Sequence, residues 1–232
     1  MKRFWKDVAV TNDAGRFGIA LDGRPVRTPG RAALAVPNAA LAEQIAQEWR
    51  DVGDTIDPAA MPLTGLANAA LDRVAADQPG FAASLAVYGE TDLLCYRADS
   101  PAELVERQAR MWEPHLDQAE QRYDVRFERA SGVMHVAQPA ETVARLSDAV
   151  AARSPFELAA LYPLVTITGS LVLALALLEG RADADTIWAA ANLDEDWQAE
   201  QWGEDSLATK ARAHKREGFD AGVRFLELLR TP

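Results

Sequence analysis

The chain has 232 residues, 49% of them hydrophobic and 25% charged, with a net charge of −11. That length and apolar content can close a real core, and the composition excludes general disorder. One cysteine, Cys95, excludes an internal disulfide framework, and histidines only at 115, 135 and 214 give no metal-ligand spacing. Seven of the Lys and Arg residues fall in positions 1–31 against three acids, leaving −15 on the remainder. An acidic body argues against phosphate-backbone binding, which draws its affinity from Lys and Arg, and so against a nucleic-acid partner. MKRFWKDV at the start has no apolar h-region, so no secretion signal is expected.

The first part reads as β. Short alternating segments at Asp7–Val10, Phe17–Leu21, Pro25–Thr28 and Ala33–Val36 are separated by turn residues. Asp22-Gly23 predicts a tight hairpin with positive φ at both central residues, which places Arg24 and Arg27 on a half-solvated sheet. Asn38 is a candidate N-cap for a helix with Leu41, Ile45, Ala46, Trp49 and Val52 at helical spacing. Trp49 on that stripe predicts a core anchor between helix and sheet. A boundary in Asp54–Pro62 predicts a β-rich domain with one covering helix over 1–57 and a helical domain over 58–232.

Helices dominate from there. Leu63 to Val74 and Phe81 to Tyr88 predict two, while Thr91–Arg97 (TDLLCYR) is too short to separate strand from helix. Ser100-Pro101-Ala102-Glu103 predicts a capping box opening a helix through Arg122, with Leu104, Gln108, Met111, Trp112, His115 and Ala119 on one side. Val125–Arg129 alternates like a strand. Glu141–Ala151 and Asp185–Leu193 predict further helices, and Ser206–Leu229 a last one that begins basic and ends apolar.

Residues 158–178 carry no charge. A run of this length could span a bilayer, but Pro163, the polar Thr166, Thr168 and Ser170, and arginines at both ends favour a helix buried on all sides. Ser154, Pro155 and Glu157 predict its capped start and Gly180 its stop. Pro163 predicts a break, with one piece ending near Leu161 and another over Leu164–Leu178. Gly169 and Ser170 predict close approach by a neighbouring helix.

The only dense group of ionisable residues is Asp194, Glu195, Asp196, Glu200, Glu204 and Asp205. Asp194 is expected as an N-cap, with Glu195 and Asp196 complementing the helix dipole. Glu200 and Glu204 stand one turn apart if the helix persists, the spacing of a carboxylate pair in a hydrolase or metal enzyme. No histidine or lysine in sequence reach completes such a set. Trp197 and Trp202 lie about 140° apart on a helix, so one of them is expected to be exposed, framed by carboxylates beside Gly203. That is a recognition surface more than an acid–base pair. Cys95 has no activating partner and reads as a small buried hydrophobe. No phosphate-cradling loop is present.

LDGRPVRTP (21–29), Glu48-Trp49 followed by IDPAAMPLT (56–64), TDLLCYR (91–97), GSLVLALA (169–176) and LDEDWQAEQWGED (193–205) together resemble the assembly chaperones of the F1-ATP synthase α subunit, in their bacterial form. The resemblance implies an α+β fold, a small N-terminal β-rich domain followed by a larger orthogonal helical bundle. It also implies no enzymatic activity, no cofactor or metal, no stable membrane insertion, a bacterial cytoplasmic location without a transit peptide, and transient binding to the unassembled α subunit. The expected contact patch is Glu200, Trp202, Gly203, Glu204 and Asp205, with Arg24 and Arg27 as a second. Family members often carry a basic residue where this chain has Gly65. The alternative reading is a carboxylate- or metal-dependent hydrolase using Glu200 and Glu204.

Overall fold

The computed structural model describes residues 2–132, 135–203 and 206–231. Contacts divide the chain into two units: residues 1–78, 154–160 and 221–232 form the first, and 79–153 and 161–220 the second. The expected boundary after residue 57 falls inside the first unit. The residues beyond it are held there by Glu48, whose carboxylate accepts from the Leu63 and Thr64 amides at 2.8 Å each and from the Thr64 hydroxyl at 2.7 Å. Two helices, α6 (Pro155–Thr168) and α10 (Ser206–Arg230), contribute residues to both units.

The first unit contains the expected antiparallel sheet. β1 (Val8–Asp13) pairs with β2 (Arg16–Leu21), which pairs with both β3 (Arg24–Pro25) and β4 (Ala35–Val36). The β2–β3 turn is Asp22-Gly23, with φ of 47° and 76°, and Leu21 opposes Arg24. The Asp22 carboxylate also accepts from the Lys6 and Asp7 amides, so the turn fixes the approach of the N-terminal segment. Asn38 caps α1 (Ala39–Asp51), its side chain accepting from Leu41 N at 2.9 Å while its amide donates to the carbonyls of Leu228 and Leu229 near the end of α10. One short side chain thus satisfies orphan groups at two helix ends. Leu41, Ala42, Ile45 and Ala46 face the sheet. α2 (Pro62–Ala69) follows and runs on through a π-helical turn at Ala70–Val74.

The second unit is helical apart from a two-residue parallel pairing of β5 (Tyr96–Arg97) with β6 (Ala130–Ser131). Its helices are α3 (Gln78–Ala86), α4 (Ala102–Tyr123), α5 (Ala140–Ala151), α7 (Leu171–Leu178), α8 (Ala184–Ala191), α9 (Leu193–Trp202) and the adjoining parts of α6 and α10. α4 carries the expected stripe, burying Gln108, Trp112, His115, Leu116 and Ala119 against α5, α7 and α9. Trp112 is wholly buried and its indole donates to the Ala190 carbonyl at 2.8 Å. The α+β class expected from the sequence is the one observed.

Several local expectations give way. α4 starts without a capping box: Pro101 is the N-cap, and the Ser100 hydroxyl turns to the Asp99 carboxylate. Val125–Arg129 is not a strand, because side chains take the ladder's place. Arg126 N reaches the Thr142 hydroxyl, Phe127 N the Glu120 carboxylate and Glu128 N the Gln138 side-chain carbonyl. TDLLCYR is both of the open possibilities in turn, a 3-10 turn at Leu93–Cys95 and then β5.

The uncharged run breaks at a different residue from the one its proline marks. The capping box at its start is formed, with the Ser154 amide and hydroxyl on the Glu157 carboxylate at 2.8 and 2.7 Å. α6 then continues through Pro163, which sits part-buried between exposed Tyr162 and Thr166, and the Thr166 hydroxyl donates to the Tyr162 carbonyl at 2.8 Å. The helix is therefore not buried on all sides. The break comes at Gly169, at φ 66°, and Ser170 caps α7 by accepting from Leu173 N. A β-carbon on Gly169 would meet only Leu93 Cβ, at an ordinary 3.9 Å, so no helix crossing requires this glycine. Its positive φ does. Gly169→Ala alone is therefore expected to cost about 1–2 kcal/mol, the left-handed penalty. Calorimetric melting checks this, and an unchanged melting temperature would contradict the account. Gly180, also at φ 66°, ends α7 as expected. Among the described residues no helix is long and apolar enough to cross a membrane.

Candidate functional site

The acid- and tryptophan-rich stretch is helix α9, its end at Gly203, and the start of α10. Asp194 is not the N-cap expected of it. Asn192 holds that position without a side-chain cap, so Asp194 lies in the first turn, where its carboxylate accepts from Gln108 at 2.8 Å. Asp194, Glu195 and Asp196 all stand where the helix dipole favours negative charge. Across to α10, Asp196 pairs with Arg212, and Glu195 lies 4.0 Å from Lys215.

Glu200 does not stand among acids without a cation. Arg107, on α4 and 93 residues away in the chain, donates to it at 2.7 Å. That hydrogen bond holds the Glu200 carboxyl below its ordinary range, against a small opposing effect of burial. A general acid needs the opposite shift, so Glu200 is poorly placed for one half of a hydrolytic pair. Glu204 and Asp205 lie outside the described residues. α9 ends at Trp202, and Gly203 takes φ 87° with its amide on the Ala199 carbonyl. Among the described residues no group of three or more His, Cys, Asp or Glu is placed to hold a metal ion.

Of the two tryptophans, Trp197 is half-buried and Trp202 is 79% exposed, the largest exposure of any large hydrophobic side chain described. Leu207, at 73%, lies just beyond Gly203. Trp202, Gly203 and the exposed carboxylate Glu200 are thus brought together at one helix end. Arg24 and Arg27 are both exposed on the other unit; Arg27 donates to the Arg31 carbonyl at 2.8 Å. Gly65 is exposed with open space around its α-carbon.

Trp49 is half-buried, less than its place on the α1 stripe predicts. Its ring meets that of Trp5 edge-on at 5.3 Å, and the Trp5 indole donates to the Trp49 carbonyl. Trp5, at 3% exposure, is the deeper anchor of the two. Cys95 is buried, and desolvation with the nearby Asp92 charge pushes its thiol up to about 12, the inert hydrophobe expected. His115 is buried and its imidazolium form is disfavoured by desolvation.

Two carboxylates matter more than sequence reasoning allowed. Asp92, wholly buried, bridges two helix starts: it accepts from Leu94 N at 3.1 Å and from Val172 N, at the head of α7, at 2.9 Å. Glu48 does the same for α2, so the motif pieces EW and MPLT are two halves of one capping arrangement. Desolvation raises the Glu48 carboxyl, and the bonds from Thr64 and Leu63 pull it back. Glu48→Ala should strand the Leu63 and Thr64 amides and cost about 2 kcal/mol, with Glu48→Gln costing less because one acceptor remains. Urea unfolding of the two variants tests that order.

Proteins named Atp12 are among the matches of every comparison. The ATP12 chaperone protein family matches residues 2–120. The mitochondrial protein atp12 of Schizosaccharomyces pombe is 27% identical over 214 residues, covering 87% of this chain and 74% of its own. The crystal structure of Atp12 from Paracoccus denitrificans superimposes with a TM-score of 0.94 at 43% identity, covering 99% of this chain and 98% of that one. A putative chaperone from Agrobacterium tumefaciens gives 0.94 at 42% identity, over 99% and 86%. The chain belongs to the ATP12 chaperone family.

Proposed function

We propose that the chain is an assembly chaperone of F1-ATP synthase that binds the unassembled α subunit, shields its ring interface until incorporation, and catalyses no reaction. The observation that carries this is the likeness to bacterial Atp12 over 99% of the chain at 43% identity. A free ring subunit exposes the apolar surface that later packs against its neighbours, which is an aggregation hazard. Covering it needs a binding surface and no chemistry. The acidic overall charge agrees with a protein rather than a nucleic-acid partner, and the bacterial relatives point to the cytoplasm as the place of work.

The contact patch we assign is Trp202, Gly203 and Glu200 with Glu204 and Asp205, and the hairpin arginines Arg24 and Arg27 form a second. Trp49 serves the fold. The test is capture of purified F1 α subunit by the immobilised chain. Saturable binding near one-to-one, with α kept from aggregating and the chain recovered unchanged, is expected; no binding at micromolar concentrations would overturn the assignment.

A further inference from the structure

α9 and the first half of α10 enclose a groove of about 620 Å³, lined by Ala199 and Trp202 on one side and Ala208, Thr209 and Ala211 on the other. We propose that this groove receives an amphipathic helix of the client, laid in by its apolar stripe. The proposal rests on the client assignment above and names how the client is held.

Charge selects the occupant. At the inner end two carboxylates face two cations, Asp196 with Arg212 and Glu195 with Lys215. Among the described residues the lining therefore carries no net charge, and the rest of it is alanine, threonine, asparagine, glutamine, glycine and tryptophan. A charged or phosphorylated ligand finds no complement there, whereas an apolar stripe does. Both walls are helices, which offer no strand edge for β-addition, so the partner engages chiefly by side chains. Small residues at Ala199, Ala208 and Ala211 leave room for a third helix axis at the usual 8–10 Å from each wall.

The state of α10 points the same way. From Ser206 to Lys215 every residue except Arg212 is exposed, whereas further on Phe219, Phe225, Leu226 and Leu228 are buried. Ten helical residues with so little burial are marginal by themselves, since helices owe most of their stability to tertiary packing. A client helix between the two walls supplies that packing and covers Trp202. The site is continuous with the patch assigned to the client, since Trp202 and Gly203 line it.

The experiment fills the groove from an exposed position. Ala211→Trp puts an indole into it, while Ala213→Trp puts the same bulk on α10 at a position that does not line it. Both variants should melt within a degree or two of wild type. Ala211→Trp is expected to weaken capture of purified F1 α subunit at least tenfold and Ala213→Trp to leave it unchanged. Equal capture by both, or equal loss in both, overturns the groove assignment while the client assignment stands. Failure of the wild-type chain to capture α overturns the client assignment and the groove with it. Sedimentation of wild type and Ala211→Trp without client covers a second copy as occupant: a wild-type dimer that Ala211→Trp converts to monomer would overturn the proposal, and a monomer in both supports it.

Discussion

Asp92→Ala should destabilise the chain at pH 7 by about 2–4 kcal/mol, lowering its melting temperature by roughly 5–15 °C. The carboxylate is fully buried and accepts from Leu94 N and Val172 N. Removing it leaves two buried amides without acceptors, one at the 3-10 turn of Leu93–Cys95 and one at the head of α7, each costing about 1–3 kcal/mol. The effect has a pH signature. Desolvation raises the carboxyl from 3.8 to about 6, with the bonds from Val172, Ser170 and Leu94 opposing it. A carboxyl raised on folding binds its proton more readily in the folded chain. Its contribution is therefore complete below pH 4 and falls as pH rises through 6, by about 3 kcal/mol. The stability gap between wild type and Asp92→Ala should narrow from pH 4 to pH 7. Urea titrations at both pH values measure it, and a gap that widens with pH would refute this account of Asp92.

What the sequence made legible was local. The turn at Asp22-Gly23, the Asn38 cap on Leu41 N, the Ser154–Glu157 box and the stop at Gly180 each depend on chemistry within about four residues, and each is formed; the further bonds of Asp22 to Lys6 and Asp7 and of Asn38 to Leu228 and Leu229 were not legible. Pro163 and Gly169 show the limit. Both are helix breakers on paper, but a proline beside exposed Tyr162 and Thr166 can be carried by a helix, whereas a left-handed glycine followed by a capping serine ends one. The partners of Asp92, Glu48 and Glu200 are 80, 15 and 93 residues away at their nearest long-range bonds. No periodicity carries that information. Asp92 lies beside Cys95, the more reactive residue type, but the carboxylate is the one that ties the elements together.

The exposed tryptophan was legible because angle alone forced it. Trp197 and Trp202 cannot share one buried stripe, and Trp202 is the one at 79% exposure. That exposure separates folding from binding. Trp202→Ala removes little buried area and should change stability by no more than about 0.5 kcal/mol. A tryptophan at the centre of a protein contact is worth about 2–4 kcal/mol when truncated, so capture of F1 α subunit should weaken by about 30- to 1,000-fold. Glu200→Lys gives a less clean result, because it would set a lysine against Arg107 and disturb the α4–α9 contact before any partner is present. Phe4, 64% exposed on the other unit, supplies the control: Phe4→Ala should leave capture unchanged. The measurement is the affinity of each variant for α subunit alongside its melting curve. Wild-type affinity in Trp202→Ala would remove the α9 end from the contact and leave Arg24 and Arg27 as the surface to test.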